Sequence, residues 1–261
     1  MELSLHDEFV RLSPVALSLD VVLRDIGPED ITPHFQPIVD LRSGAVVGHE
    51  ILSRGPASYR SPSVLFARAG ELGLIAELER ACHGAALTRV AQLALAMPRA
   101  QWFVNVSPDV FCDGAEQLAA IVAVLRNHGL EPRQIVLEIT EREPIADARR
   151  LERAVQRYVA AGFRIALDDF GSGVNGLLTL LACRPHIIKL DMELTRGVHA
   201  DVYRQNIVRS IAALAASVNA ELIAEGVETR AERDALLVQG VRLAQGRLFG
   251  APAPQPATCE A

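Results

Sequence analysis

Residues 34–52 read HFQPIVDLRSGAVVGHEIL, and this stretch sets the topology that we expect for the chain. Two short apolar runs, 34–39 and 46–52, are separated only by residues 40–45, with Ser43-Gly44 at the centre of the connection. A crossover between parallel strands needs a dozen residues or more, so the short connection indicates a β-hairpin. The first two strands are therefore predicted to be antiparallel.

Six further runs of strand character follow, and they alternate with longer patterns of helical periodicity. The runs cover residues 102–106, 135–139, 164–168, 187–190, 221–225 and 241–244. Three helix starts are marked by Ser61-Pro62, by Asp147 and by a capping box from Thr229 to Glu232. Eight strands alternating with helices predict an α/β fold, a modified TIM (β/α)8 barrel with the first strand antiparallel.

The composition is typical of a folded domain with an aliphatic core. Half of the 261 residues are hydrophobic, 22% are charged and 5% are aromatic, which excludes a disordered chain. We expect residues 1–30 to form an N-terminal leader, helical or irregular, and residues 31–252 to form the barrel. Residues 253–261 are expected to be a flexible tail.

Charge and cysteine content narrow the range of partners. The formal net charge of −6, without a basic stripe, argues against binding to DNA or RNA duplexes. The sequence has neither a long apolar run that predicts a membrane span nor the basic start of a secretory signal. Its four cysteines lie far apart, which argues against disulfides and thiolate zinc sites and favours a cytoplasmic protein.

Nearly every predicted strand carries a polar residue at or near its C-terminal end. These residues are Glu50, Asn105, Glu138, Asp168 with Asp169, Lys189, Glu225 and Gln245. Because the C-terminal ends of parallel barrel strands meet on one face, these side chains are predicted to converge on a single mouth.

A cluster of carboxylates repels itself unless protons or cations neutralise part of its charge. All the candidate ligands are oxygen donors, which favours Mg²⁺ or Mn²⁺ over zinc or copper. Asp168 and Asp169 are neighbours, so both reach one site only where the strand turns into its loop, and residues 170–173 (FGSG) are typical of such a turn. One of the two can then bridge a pair of metal ions, an arrangement suited to displacement at phosphorus.

Lys189 is the only lysine among the 26 basic residues. Its compact ammonium group can position water and stabilise charge that develops on phosphate, whereas a guanidinium group is planar and bulkier. Glu225 or another acid of the cluster is then the candidate general base. Arg54, shortly after Glu50, is a candidate for a bidentate phosphate contact.

Eight ordered motifs resemble those of the EAL domain family. They are residues 35–41 (FQPIVDL), 49–54 (HEILSR), 105–107 (NVS), 137–141 (LEITE), 167–171 (LDDFG), 188–191 (IKLD), 224–229 (AEGVET) and 245–250 (QGRLFG). Members of that family are bacterial phosphodiesterases that hydrolyse cyclic di-GMP to linear pGpG. The resemblance spans about residues 31–252 and implies a barrel with one reversed strand and a homodimer.

Carried over by position, the resemblance implies an active site with two divalent ions, Mg²⁺ or Mn²⁺. The ligands of the first ion would be Glu50, Asn105, Glu138 and Asp168. The ligands of the second would be Asp168 and Asp169, together with water.

The resemblance also implies residues that act on water and on the substrate. Lys189 and Glu225 would act on the attacking water, Glu141 would anchor the loop after Asp169, and Gln245 would support the water network. The substrate contacts would come from Gln36, Arg54 and Glu228. Structural interpretations compete for three of these residues: an ion pair for Arg54, backbone capping for Gln36 and a charge at a helix N-terminus for Glu141.

Four departures from the family pattern keep alternatives open. Ile51 replaces the alanine of the Glu-Ala-Leu triplet, residues 173–176 (GVNG) replace an aromatic residue and two serines, and His186 replaces an aspartate. Near the end, Arg247 and Ala251 replace an aromatic and a basic residue. The alternatives are a degenerate EAL domain that binds cyclic di-GMP or a protein without hydrolysis, and another metal-dependent barrel lyase or hydrolase. The complete set of ligand positions favours the phosphodiesterase.

Overall fold

The computed structural model describes residues 23–56, 59, 61–93, 95–114, 118–140, 147–173 and 176–258. Eight strands close into a barrel in chain order. They are β1 (Thr32–Asp40), β2 (Val46–Arg54), β3 (Gln101–Asn105), β4 (Ile135–Thr140), β5 (Arg164–Phe170), β6 (Ile187–Leu190), β7 (Glu221–Ala224) and β8 (Leu243–Gln245). β1 is antiparallel to both neighbours, β2 and β8, and the other neighbouring pairs are parallel. The predicted modified TIM barrel is confirmed.

The connections after β2 carry helices that cover the outside of the barrel. Within the described residues, the α-helices are α1 (Pro62–Leu72), α2 (Ile75–Leu93), α3 (Pro108–Asp113), α4 (Leu118–Asn127), α5 (Ala148–Ala160), α6 (Gly176–Cys183), α7 (Met192–Thr195), α8 (Val202–Ser217) and α9 (Arg230–Val238). Short 3-10 helices lie at Pro28–Asp30, Pro132–Gln134 and Val198–Ala200.

Two of the three predicted helix starts are confirmed in atomic detail. The Asp147 side chain accepts hydrogen bonds from the amides of Arg149 and Arg150 at the start of α5. Thr229 and Glu232 form the reciprocal capping box of α9. α1 does begin at Pro62, but the Ser61 hydroxyl contacts the Ser63 hydroxyl (2.8 Å) instead of capping the helix.

The interior of the barrel consists of two layers, which follow from the alternation of side chains along each strand. The lower layer is apolar and contains Ile38, Phe103, Val136, Ala166, Ile187, Ile223 and Leu243. Two positions nearer the mouth, on the same face of each strand, lie Gln36, Asn105, Glu138, Asp168, Lys189, Glu225 and Gln245. Glu50 completes the polar layer, because it pairs with Gln36 of β1 and its carboxylate accepts hydrogen bonds from Asn105 and Gln245.

Ile51 of the Glu-Ile-Leu triplet lies on the opposite face of β2 from Glu50. It is buried in the apolar cluster that contains Ala86 and Val90 of α2 and Trp102 of β3. The isoleucine that replaces alanine at this position is therefore accommodated in the apolar packing between the barrel and its helices.

Both chain ends of the described region are attached to the barrel. Leu23 and Ile31 pack into a cluster with residues of α1 and α2. Ala253, the first residue of the expected tail, pairs with Phe35 through two backbone hydrogen bonds of 2.7 and 3.0 Å. The flexibility of the tail beyond it stays a prediction.

Among the helices in the described ranges, none has both the length and the apolar character needed to cross a bilayer.

Asp40 stabilises the hairpin on which the reversed strand depends. Its carboxylate accepts hydrogen bonds from the amides of Arg42 (2.8 Å) and Ser43 (3.1 Å), while Arg242 donates to its other oxygen (2.6 Å). Burial alone would raise the pKa of this carboxyl, but the hydrogen bonds from Arg242, Ser43 and Arg42 outweigh it and hold the pKa below its usual value.

We therefore expect Asp40→Ala to lower the free energy of unfolding by about 2 kcal/mol at neutral pH, since each hydrogen bond contributes about 1 kcal/mol and Arg242 is largely exposed. Because the folded-state pKa is depressed, this stabilisation is present above the unfolded-state pKa and is lost as the pH falls through the folded-state pKa. Urea denaturation at neutral and acidic pH measures it. Asp234→Ala, at an exposed pair with Arg233, is the control, and equal losses in both variants would contradict the prediction.

Candidate functional site

Lys189 lies at the centre of the polar layer and is completely buried. Its Nζ atom is 2.7 Å from Glu138 Oε1, 2.8 Å from Glu225 Oε1, 3.0 Å from Asp168 Oδ1 and 3.4 Å from Glu50 Oε2. These are ion pairs by distance, although their angles do not meet those of regular hydrogen bonds. The only lysine of the chain is thus the charge around which four strand ends are arranged.

The four carboxylates carry more negative charge than one ammonium group can balance. Burial alone would lower the pKa of Lys189, but the nearby Asp168, Glu138, Glu225 and Glu50 raise it well above its usual value. Lys189 is therefore held in its charged form.

The acids respond to the same environment in different ways. Burial raises the pKa of Glu138 well above its usual value, and burial raises the pKa of Glu225 to about 8. Burial alone would raise the pKa of Glu50, but the attraction of Lys189 and the hydrogen bonds from Gln245 and Asn105 outweigh it and lower the pKa. The site therefore contains both an ionised carboxylate and carboxylates with high proton affinity.

Asp168 and Asp169 reach the same site because β5 is distorted where it leaves the barrel. Asp169 has a left-handed backbone with φ of 58°, and the register between β5 and β6 shifts between Leu167 and Phe170. One carboxylate oxygen from each of Asp168, Asp169 and Glu225 lies within 4.8 Å of the others. The turn that the sequence predicts at this point is present.

Three amide side chains form a network beside Glu50. Asn105 Nδ2 donates to Glu50 Oε1 (3.0 Å), and Gln245 Nε2 donates to both Glu50 Oε2 and Gln36 Oε1, the latter at 3.0 Å. Gln36 Nε2 in turn donates to the carbonyl of Gly250 (3.2 Å). Gln36 therefore does cap a backbone group, and it also faces the mouth through its oxygen.

The remaining predicted residues lie farther from Lys189. Arg54 ends β2 and donates to the carbonyl of Ser53 (3.1 Å); burial lowers the pKa of Arg54, and Glu50 opposes this shift. Glu228 lies at the rim, where Arg247 and Arg196 contact its carboxylate. Glu141 lies outside the described residues.

His186 has a structural role at the opposite end of the barrel. Its Nδ1 accepts a hydrogen bond from the amide of Ile165 (3.1 Å), and its own amide donates to the Ile165 carbonyl (2.9 Å). A backbone amide can only donate, so Nδ1 must be unprotonated. The imidazole in place of the family's aspartate thus joins the starts of β5 and β6.

Two hydroxyl groups support the site without having been assigned from the sequence. Thr140 Oγ1 donates to Asp169 Oδ2 (3.0 Å), and Thr195 Oγ1 donates to the backbone carbonyl of Glu225. Thr140 was detectable, since it lies two positions after Glu138 and shares its face of β4. Thr195 gave no comparable signal, because its contact depends on how α7 folds over the strand ends.

The oxygen atoms of the mouth fit hard divalent cations. Glu138 Oε2 is buried and has no hydrogen-bond partner among the described residues. The Asp168, Asp169 and Glu225 carboxylates converge, and Asn105 adds an amide oxygen beside Glu50. Carboxylate and amide oxygens with excess negative charge are the donor set that Mg²⁺ and Mn²⁺ prefer.

Replacement of Lys189 by Met tests the electrostatic role of the ammonium group. The variant leaves four carboxylates without their central cation, so we expect the free energy of unfolding to fall by about 3 kcal/mol or more in metal-free buffer. Chemical denaturation in the presence of a chelator measures this loss. Part of it should be recovered with Mn²⁺, because a bound cation replaces the missing positive charge.

Arg233→Met is the control for this experiment, since Arg233 pairs with Asp234 in an exposed position of α9. Equal denaturation midpoints for Lys189→Met and the wild-type protein would show that the carboxylates do not depend on Lys189.

Comparison with known proteins agrees with this geometry. The chain is 32% identical over 234 residues to the probable cyclic di-GMP phosphodiesterase PdeB of Escherichia coli, which covers 88% of this chain and 44% of the relative. It is 32% identical over 231 residues to the bifunctional diguanylate cyclase/cyclic di-GMP phosphodiesterase MucR of Pseudomonas aeruginosa, covering 85% of this chain and 33% of that protein. The chain thus spans less than half the length of these curated relatives.

Solved structures show the same fold with bound ligands. The BlrP1 protein of Klebsiella pneumoniae, in complex with calcium and cyclic di-GMP, superposes with a TM-score of 0.78 at 30% identity over 87% of this chain and 57% of that one. A standalone EAL protein of Vibrio cholerae with bound cyclic di-GMP gives a TM-score of 0.79 at 31% identity, over 88% of this chain and 96% of that one. The sequence model of the EAL domain matches residues 20–252. The chain belongs to the EAL domain family.

Proposed function

We propose that the chain is a metal-dependent phosphodiesterase that hydrolyses cyclic di-GMP to linear pGpG. The observation that carries this proposal is the convergence of four carboxylates, three of them buried, on Lys189, with Asp169 and Asn105 beside them. Support also comes from EAL proteins solved with calcium or manganese and cyclic di-GMP.

The proposed metal ligands follow the set expected from the family resemblance. Glu50, Asn105, Glu138 and Asp168 would hold one ion, and Asp168 with Asp169 would hold the second. When bound, two divalent ions, Mg²⁺ or Mn²⁺, would polarise the phosphodiester and lower the pKa of a coordinated water.

The protein side chains would then control the proton and the developing charge. A Glu225 carboxylate oxygen would accept the proton of the attacking water, and burial gives this group a higher proton affinity than an exposed glutamate. Lys189 Nζ would orient that water and stabilise negative charge on the phosphate. Attack of water at phosphorus breaks one of the two phosphodiester bonds and opens the cyclic dinucleotide.

Substrate and supporting contacts complete the proposal. Gln36, Arg54 and Glu228 would contact the dinucleotide, and Gln245, which bridges Gln36 and Glu50, would hold the water network. Glu228 is already paired with Arg247 and Arg196 at the rim. The carboxylate that would contact the dinucleotide is therefore one whose charge is balanced by guanidinium groups. Glu141 is proposed to anchor the loop after Asp169.

We also propose that the protein forms a homodimer. α6 follows the loop after Asp169. Three of its leucines, Leu177, Leu178 and Leu181, are each 66% to 68% exposed to solvent. Three large apolar side chains on one short helix are typical of a surface that another chain covers. Cytoplasmic location and the absence of binding to nucleic-acid duplexes stay predictions.

A direct assay separates hydrolysis from the alternatives. Purified protein is incubated with cyclic di-GMP and Mg²⁺ or Mn²⁺, and pGpG is measured by chromatography while binding is measured by calorimetry. Formation of pGpG supports the phosphodiesterase. Binding without pGpG under both ions would indicate the degenerate domain, and no affinity for the dinucleotide would indicate a different barrel lyase or hydrolase.

Glu50→Gln tests the metal-ligand set with little change in side-chain volume. The substitution removes one negative charge from the ion site, so we expect kcat to fall by about 100-fold or more, equivalent to about 3 kcal/mol of transition-state stabilisation. The rate of pGpG formation measures it. Glu77→Gln, an exposed acid on α2, is the matched control, and a Glu50→Gln rate near that of the control would reject the assignment.

Lys189→Arg tests whether a compact ammonium group is required. Charge is retained, but a guanidinium cannot occupy the space between four carboxylates in the same geometry. We expect kcat to fall by about 100-fold or more. Full activity in this variant would refute the role proposed for Lys189, and its unfolding curve shows whether the barrel itself is intact.

A further inference from the structure

One face of α2 is directed at the strand ends that carry two of the proposed ligands. Glu79, Cys82 and His83 have the spacing of a single helix face. Cys82 contacts Ser53 near the end of β2, whereas His83 contacts the backbone at the end of β3 and Glu79 contacts the backbone just after it. The helix therefore touches the segments that follow Glu50 and contain Asn105.

Glu79 is a buried acid with a backbone partner. Its side chain is only 4% exposed, and its Oε1 accepts a hydrogen bond of 3.0 Å from the amide of Ser107. Ser107 is the N-cap residue of α3, and the first amides of a helix lack partners within the helix. Glu79 thus satisfies the backbone two residues after Asn105.

His83 contacts the backbone carbonyl of Asn105, at the end of β3. Its Nε2 lies 2.9 Å from the backbone oxygen of Asn105. A carbonyl can only accept, so Nε2 carries the proton and donates it to this oxygen. Glu79 and His83 therefore fix the turn after β3 at two points, one amide and one carbonyl.

A cavity lies beside these contacts. A cavity of about 260 Å³ lies between α1, α2 and the outer faces of β2 and β3, and Glu79, Cys82, His83 and Asn105 are among its lining residues. Val106 of the turn packs into the apolar cluster that contains Phe111, and on the side of this cavity the polar contacts of Glu79 and His83 hold the backbone.

The position of this turn controls the Asn105 side chain. Asn105 Nδ2 donates to Glu50 Oε1, which leaves Oδ1 as the atom that can bind a cation. On the other side, the amide of Val106 donates to the Glu138 carbonyl (3.0 Å) and joins the turn to β4. A displacement of the backbone at 105–107 would move the amide oxygen relative to Glu50 and Glu138.

We propose that Glu79 and His83 are positioning residues that hold Asn105 in its ligand geometry, and that α2 thereby sets the affinity of the mouth for divalent ions. This inference rests on the proposed function for the role of Asn105. Partners outside the ligand set of a metal site commonly change metal affinity by 10- to 100-fold when they are removed.

The test measures Mn²⁺ binding by titration without nucleotide, so that it does not depend on turnover. Glu79→Ala and His83→Ala should each raise the Kd for Mn²⁺ by about 10- to 100-fold. Glu79→Gln retains an oxygen that can accept from the Ser107 amide, so its Kd should stay within a few-fold of the wild-type value. Glu77→Ala, on the exposed face of α2, is the control and should leave the Kd unchanged.

Hydrogen exchange of the backbone amides at 106 and 107 provides an independent readout in metal-free protein. Faster exchange there in Glu79→Ala and His83→Ala, with the rest of the barrel unchanged, is expected. An unchanged Mn²⁺ affinity in both variants, or unchanged exchange, would overturn the inference, as would equal effects from Glu79→Gln and Glu79→Ala. A protein that binds Mn²⁺ as described but forms no pGpG would contradict the proposed function and leave this inference standing.

Discussion

The buried ammonium group of Lys189 is the interaction on which the arrangement of the mouth depends. Four carboxylates from four different strands, or from the residues just after them, lie within 3.4 Å of its Nζ atom. Without a cation, like charges at such short separation would cost several kcal/mol even at an effective dielectric of about 20. The same excess of negative charge that Lys189 reduces is what makes this mouth suitable for divalent ions. Charge balance therefore connects the stability of the barrel with its proposed chemistry.

The barrel supplies this charge cluster through a simple geometric rule. Side chains on one face of a strand recur every second residue, so nearly every polar side chain of the mouth stands directly above an apolar one. Ile187 lies below Lys189 and Val136 lies below Glu138. The apolar layer closes the barrel beneath the mouth and lowers the local dielectric, which accounts for the raised proton affinity of Glu138 and Glu225. Reversal of β1 places Gln36 beside Glu50, where its amide adds no further negative charge.

The departures from the family pattern fall in regions with different consequences. Ile51 and His186 are accommodated by packing and by backbone hydrogen bonds away from the mouth. Arg247 lies at the rim and neutralises Glu228, so it alters the charge that an incoming ligand meets. Val174 and Asn175 lie outside the described residues. The departures at Ile51, His186 and Arg247 therefore leave the described ligand positions intact.

The sequence by itself determined the features that depend on local spacing. The short 40–45 connection requires a hairpin, the alternation within each strand fixes which residues face inward, and the caps at Asp147 and Thr229 use side chains next to the helices that they begin. Sequence motifs also identified the polar residues of the mouth. Only the tertiary structure decided which atoms meet: that Lys189 contacts four acids at once, that Thr195 holds the Glu225 carbonyl, and that Glu79 reaches the Ser107 amide. Those contacts join residues that are distant along the chain, and their distances are set by closure of the barrel and the docking of helices on it, which no local pattern encodes.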